Sequence, residues 1–408
     1  MGTCFEISRN PMSAPENEAQ QKPARLTSLD TYRGLIMLFM ASAGFGIPQV
    51  AAQFPHSGFW KFLAFHTSHA PWIGGGAWDM IQPSFMFMVG VAMPFSLARR
   101  IREGQSWNGQ LGHTLWRSLV LVALAVFLAS QGAKQTKFVF FNVLGQIGLG
   151  YTFLFLLAGR GWKIQFGAIA GIALLSWAAF VLYPLPPADS DFTKAGLKPE
   201  ELSSVVLPGF FGHWSKNVNV AAGFDRWFLN LFPSESPFQF NTGGYTTLNF
   251  VPALITMTLG LVVGERLRVD DELRPKLIWM GKLAGVCLAI GLLAGWTVCP
   301  IIKRIWTPSW AFFSGGIVIA VLAAIFWMVE MRGWRRWTVP FVIVGLNSIA
   351  IYLLDQLLPG WIVQTLKTHL GQQIFSGTYG GVFKSCSVIF VLWLACWWMY
   401  RRKIFLRI

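Results

Sequence analysis

Charge is scarce in these 408 residues, and acidic charge is the scarcer kind. Asp and Glu number 18 against 33 Lys and Arg, and the four together make up 12 % of the chain. That is about half the share usual in a soluble domain, which excludes a soluble enzyme and a charge-rich disordered chain. Cysteine is sparse too. Cys4, Cys287, Cys299, Cys386 and Cys396 show no paired spacing, which excludes a disulfide scaffold and a zinc ribbon. No Asn-x-Ser/Thr sequon occurs, which favours a bacterial inner membrane over a eukaryotic luminal setting. Residues 1–25 are polar and lack an apolar h-region, so no cleavable signal peptide is expected, and Met12 offers a second start.

Apolar residues take the place of charge. They make up 54 %, with 20 Trp and 35 Phe, and the mean hydropathy is +0.50. They arrive in blocks near the twenty residues that span a bilayer: Gly34–Ala52, Ala77–Ala98, Leu115–Gln131, Phe138–Ala158, Ile164–Tyr183, Tyr245–Gly264, Leu277–Val298, Trp310–Glu330, Val339–Leu358 and Val382–Tyr400. The fold class expected is all-α, a polytopic membrane protein of about ten transmembrane helices. Alternate connections carry the Lys and Arg clusters, including Arg99, Arg100 and Arg102, then Arg266 and Arg268, then Arg401, Arg402 and Lys403. The positive-inside rule therefore puts both termini in the cytoplasm. The same placement assigns the +15 net charge to topology, so nucleic acid is not an expected partner and membrane lipid is.

Two connections fall on the outer side. Gln53–Gly76 holds His56, His66, His69 and Trp72, and a periplasmic loop of about sixty residues covers 184–244. His69 sits just before the second block, where a neutral imidazole can act as base or nucleophile. A histidine hydrogen-bonded in an interfacial loop is the plainer reading. His66 and His69 are three apart, but no Cys, Glu or third His completes a ligand set, so no metal is expected. Depth along the helices brings Asp79 and Asp355 toward the outer face, with Gln146 and Asn347 nearer the midplane. Interhelical hydrogen bonding is the plainer role for each of these. At the cytoplasmic face Arg33, spaced to pair with Asp30, stands with Arg99 and Arg100 where an anionic ligand would meet planar guanidinium donors.

The ordered residues resemble a family. Leu29-Asp30-Thr31-Tyr32-Arg33-Gly34, then His69-Ala70-Pro71-Trp72 with Gly74, then Asp79 with Pro83, Phe85, Phe87 and Gly90, are similar to the catalytic domain of heparan-alpha-glucosaminide N-acetyltransferase. The pattern continues through Val143-Leu144, Gly148 and Tyr151, through Ala221-Ala222-Gly223-Phe224-Asp225-Arg226, and through Gly345-Leu346-Asn347-Ser348 with Tyr352. The resemblance implies a transmembrane acyltransferase domain over 26–408, preceded by a polar cytoplasmic tail over 1–25. It implies acetyl-CoA as acyl donor on the cytoplasmic side and an amino sugar or glycan as acceptor on the periplasmic side. It also implies His69 as the catalytic residue. Departures stand at Gly44, at Trp72-Ile73-Gly74, at Gln146 and at Asp355-Gln356.

With that chemistry, Asp79 is expected to orient His69. Trp72, Gln146, Asn347 and Asp355 are expected at the substrate, with Trp72 and Asn347 as oxyanion donors. Arg33, Arg99 and Arg100 are expected at the CoA phosphates, and a polar shaft through Gln146 and Asn347 at the pantetheine arm. A second copy of the chain is a candidate homodimer partner. The competing reading is a transporter or flippase of an envelope glycan or lipid, which would show paired broken helices.

Overall fold

The computed structural model describes residues 26–187 and 189–406; the expected tail over 1–25 lies outside them. The chain is an all-α, multi-pass membrane protein. Seven helices are long and apolar enough to cross a membrane, and nine spans result if each of two bent pairs counts as one. A shorter apolar helix, Val143–Leu157, completes a set that matches the ten apolar blocks.

In chain order the helices are α1 Thr27–Ala41, α2 Ile47–Gln53, α3 Gly58–Thr67, α4 Ile81–Arg102, α5 Trp107–Ala129, α6 Val143–Leu157, α7 Trp162–Leu182, α8 Leu202–Val205, α9 Val220–Phe228, α10 Phe250–Arg268, α11 Leu273–Thr297, α12 Pro308–Phe326, α13 Val339–Gly345, α14 Ser348–Leu357, α15 Pro359–Leu370 and α16 Gly380–Arg401. α4 and α10 form the centre. The apolar stretch of α10 is 83 % buried and that of α4 67 %, against 17 % for α5, whose outward side chains are left for lipid. Small residues permit the close α4–α10 approach. A Cβ on Gly90 would collide with the Met257 carbonyl, and one on Gly260 with that of Phe87.

Two expected spans are broken. The first bends by 43° between α1 and α2, where residues 43–46 all take positive φ. Gly44 and Gly46 tolerate that conformation freely. The ninth bends by 68° between α13 and α14, at Leu346 and Asn347. The two outer connections are structured rather than open. α3 fills much of 53–76, and α8 and α9 lie in 184–244. The connections share one apolar cluster, in which Trp72 packs with Leu197, Val205, Leu207, Trp214 and Ile302.

Candidate active site

His69 emerges from the end of α3 and Asp79 from the single 3₁₀ turn that leads into α4. The loop between them must double back. Gly74 takes φ +87°, and a Cβ on Gly76 would collide with the Phe65 carbonyl. His66 Nδ1 accepts the Ala77 N–H at 3.2 Å and closes the loop from the other side. A small bridge between Ile73 and Gly74 and Ile302 then draws in the α11–α12 connection, with Gly74 N donating to Ile301 O at 2.8 Å. The next residue along that connection is Lys303.

Three side chains meet here. His69 Nδ1 lies 2.8 Å from Asp79 Oδ1, Lys303 Nζ lies 3.0 Å from the same oxygen, and Nζ is 3.0 Å from Nδ1. The second carboxylate oxygen accepts the N–H groups of Ala70 at 3.0 Å and Gly76 at 3.1 Å. The Asp79 and Lys303 side chains are 1 % and 6 % exposed, whereas that of His69 is 43 % exposed. A buried carboxylate and ammonium thus neutralise one another beneath an accessible imidazole. Burial pushes the Lys303 ammonium down from its ordinary value, and the Asp79 carboxylate opposes that push.

An ammonium only donates and a carboxylate only accepts. Nδ1 can therefore donate to Asp79 Oδ1 at 2.8 Å or accept from Lys303 Nζ at 3.0 Å. With Nδ1–H donated to Asp79, Nε2 keeps its lone pair for an outside group. Arg304 fixes the frame around this cluster. It donates to Ala70 O at 3.1 Å and Gly243 O at 2.7 Å, and its guanidinium lies 5.6 Å from the Tyr245 ring centroid.

At the far end of α4 lies a cavity of about 500 Å³, within the usual range for a small-molecule site. Arg33, Arg99 and Arg100 all line it, together with His113 and Arg117 of α5. No carboxylate side chain lines it among the described residues. Arg100 Nη2 is 2.7 Å from His113 Nε2, and Arg33 pairs with Asp30 at 3.7 Å. Along α4 the lining runs from Arg100 up to Phe85, about 22 Å at the helical rise. Such a cavity fits a ligand with an anionic head and a slender, less polar arm.

Four expected substrate residues are placed elsewhere. Trp72 is buried, and its Nε1 donates to Trp214 O at 3.0 Å. Its one donor is therefore committed to holding the two outer connections together. Asn347 fills the α13–α14 break, donating to Ile404 O at 3.0 Å and accepting from Leu406 N at 3.1 Å. Trp72 has no donor left for an oxyanion, and Asn347 is placed to hold the chain after α16. Gln146 Nε2 donates to the carbonyls of Phe140, Thr246 and Thr247. α6 turns Val143, Leu144, Ile147 and Tyr151 to the cavity instead, so the expected polar shaft through Gln146 and Asn347 is not formed. Among the described residues Asp355 bonds only its neighbour Gln356, at 3.3 Å, and it does not line the cavity.

Lys303, Arg304, His113 and Arg117 were not singled out from the sequence. Two signals were there. Lys303-Arg304 is a basic pair on a connection otherwise assigned to the outer side, and Arg117 is a charge inside an apolar block.

Residues 25–205 match the family described as heparan-alpha-glucosaminide N-acetyltransferase, catalytic. The chain is 24 % identical to the heparan-alpha-glucosaminide N-acetyltransferase of Homo sapiens over 95 % of its own length and 60 % of that protein. It is also 24 % identical to that of Mus musculus, over 98 % and 63 %. The chain thus spans about three fifths of the length of these relatives.

Proposed function

We propose, from its similarity to the heparan-alpha-glucosaminide N-acetyltransferase family, that this chain carries an acetyl group from cytoplasmic acetyl-CoA to an amino sugar or glycan on the periplasmic side of a bacterial inner membrane. The observation that carries this reading is that one helix joins both halves of the chemistry. Asp79, in the 3₁₀ turn that runs straight into α4, holds His69, while Arg99 and Arg100 near the end of α4 line the basic cavity. The two ends are about 30 Å apart at the helical rise, close to the thickness of a hydrocarbon core. CoA is a large polyanion that would not cross that core, so its thioester arm has to reach through while the nucleotide stays at the basic mouth.

The acceptor amine attacks the thioester carbonyl, the C–S bond breaks, and CoA leaves as thiolate. In direct transfer the amine's proton passes to His69 Nε2. If the acetyl group first rests on the imidazole, Nε2 is the attacking atom and the amine displaces it. Both routes require Nδ1–H donated to Asp79, so that Nε2 carries the free lone pair.

A transporter reading draws on the two broken helix pairs. The breaks are filled by the chain itself. The α13–α14 break holds the Ile404–Leu406 segment through Asn347, and Gly46 packs on Gly381. The deciding experiment incubates purified protein with radiolabelled acetyl-CoA and a panel of amino sugars. Label transferred to a sugar supports the acyltransferase. Uptake of unmodified sugar into proteoliposomes without label transfer rejects it.

A further inference from the structure

Arg117 is a cation in the wrong place for a merely structural one. It lies ten residues into α5, roughly 15 Å along a helix of 23 residues, and so near mid-span. It makes no salt bridge among the described residues. Nη1 donates to the Tyr151 hydroxyl at 3.1 Å, and the guanidinium lies 4.7 Å from the Tyr151 ring centroid. Nε is buried with no hydrogen-bond partner among the described residues. Ionisable groups at this depth are expensive and are kept where they meet a partner or a ligand. Arg117 lines the cavity, and Tyr151 lines it beside the guanidinium.

The cationic lining therefore has two tiers. Arg99, Arg100 and His113 form an outer tier, tied by the 2.7 Å Arg100–His113 contact. Arg117 forms an inner tier one helical turn deeper on α5, about 6 Å along the axis and toward the His69 end. A CoA thioester carries its anions in the same order. The acyl group and pantetheine arm lead, a diphosphate follows, and a 3′-phosphate on the adenosine comes last.

Resting on the donor reading above, we infer that Arg117, steadied by Tyr151, is the seat for the donor's diphosphate. The outer tier of Arg99, Arg100 and His113 takes the 3′-phosphate. Arg117 is thus a binding residue that sets how far the arm reaches. The guanidinium fork suits a diphosphate through charge-assisted paired hydrogen bonds.

The test measures equilibrium binding of CoA and of dephospho-CoA, which lacks only the 3′-phosphate, to purified wild-type and variant protein. Arg117→Gln should weaken both ligands by the same factor, roughly ten- to hundredfold. Arg99→Gln with Arg100→Gln should weaken CoA by a comparable factor and leave dephospho-CoA within twofold. Arg117→Gln should also melt no lower than wild type, because it removes a charge that has no counter-ion. Should that variant fail to fold, Arg117→Lys gives the same comparison, with equal weakening of both ligands expected from loss of the planar fork. Unchanged binding of both ligands in the Arg117 variants overturns the seat while leaving the donor reading standing. Weakening confined to CoA overturns it as well, by moving Arg117 to the 3′-phosphate. Failure of wild-type protein to bind either ligand overturns the donor reading and the seat with it.

Discussion

The Lys303 ammonium lies 3.0 Å from the Asp79 oxygen that also receives the His69 imidazole, so a buried ion pair from two distant connections sits under one exposed ring. Removing one member of a buried pair strands the other, at about 3–5 kcal/mol, whereas replacing both with neutral groups is close to neutral. Asp79→Asn should therefore lower the melting temperature sharply. The double variant Asp79→Asn with Lys303→Met should regain most of that stability while transfer stays lost. Thermal unfolding in detergent paired with acetyl transfer reads both. Recovery of transfer along with stability would show that Asp79 only holds the fold.

Asn347 separates a structural role from a catalytic one. An oxyanion donor costs roughly 10²–10³ in turnover when removed. Loss of the bonds to Ile404 and Leu406 instead costs about 2–4 kcal/mol of stability. Asn347→Ala should lower the melting temperature and raise the apparent KM for acetyl-CoA, because Phe405 and Leu406 line the cavity. Its kcat should stay within threefold. A kcat loss of a hundredfold in a protein that melts normally would restore the oxyanion role.

Asp225 supplies the pH dependence of folding outside the spans. Burial pushes its carboxyl up to about 6, against the hydrogen bond from Thr247 N. A carboxyl raised in the folded state contributes stability that is fully present below its unfolded value and is lost as pH rises through about 6. A rise of this size corresponds to at most about 3 kcal/mol between pH 4 and pH 7. Asp225→Asn keeps an acceptor for Thr247 and removes the charge. Its melting temperature should change less across that window than that of wild type. Parallel curves for the two proteins would remove Asp225 from the account.

Much of the fold was legible because membrane spans declare themselves by length and composition. Each of the ten apolar blocks contains a helix, a bent pair or the short α6. The breaks at residues 43–46 and at Asn347 were not legible, because an apolar run looks the same whether its helix is straight or folded on itself. His69 and Asp79 could be paired because only ten residues and a glycine turn separate them. Lys303 is 234 positions from His69, and the contacts of Ile73 and Gly74 with Ile301 and Ile302 bring it in. Gln146 and Asn347 were assigned by depth alone. Depth does not say which way a helix turns a side chain, and both amides turn toward backbone carbonyls.

Sidedness rests on the distribution of Lys and Arg and is directly measurable. Alkaline phosphatase fused after Lys198 should be active, and the same enzyme fused at the C-terminus inactive. The reverse pattern would place the basic cavity outside and remove the proposed direction of transfer.

The central claim is that His69 performs the transfer, and the most direct measurement compares His69→Ala with wild type in acetyl transfer from labelled acetyl-CoA. Loss of an essential base or nucleophile costs at least ~10²-fold. The His69 side chain is 43 % exposed, and without it the buried Asp79 keeps Lys303 and two backbone N–H donors, so melting and CoA binding should stay near wild type. His66→Ala, measured alongside, should keep most of its activity, because His66 Nδ1 only closes the loop through Ala77 N. The account predicts transfer abolished in a folded, CoA-binding His69→Ala protein. Turnover within a fewfold of wild type would contradict it.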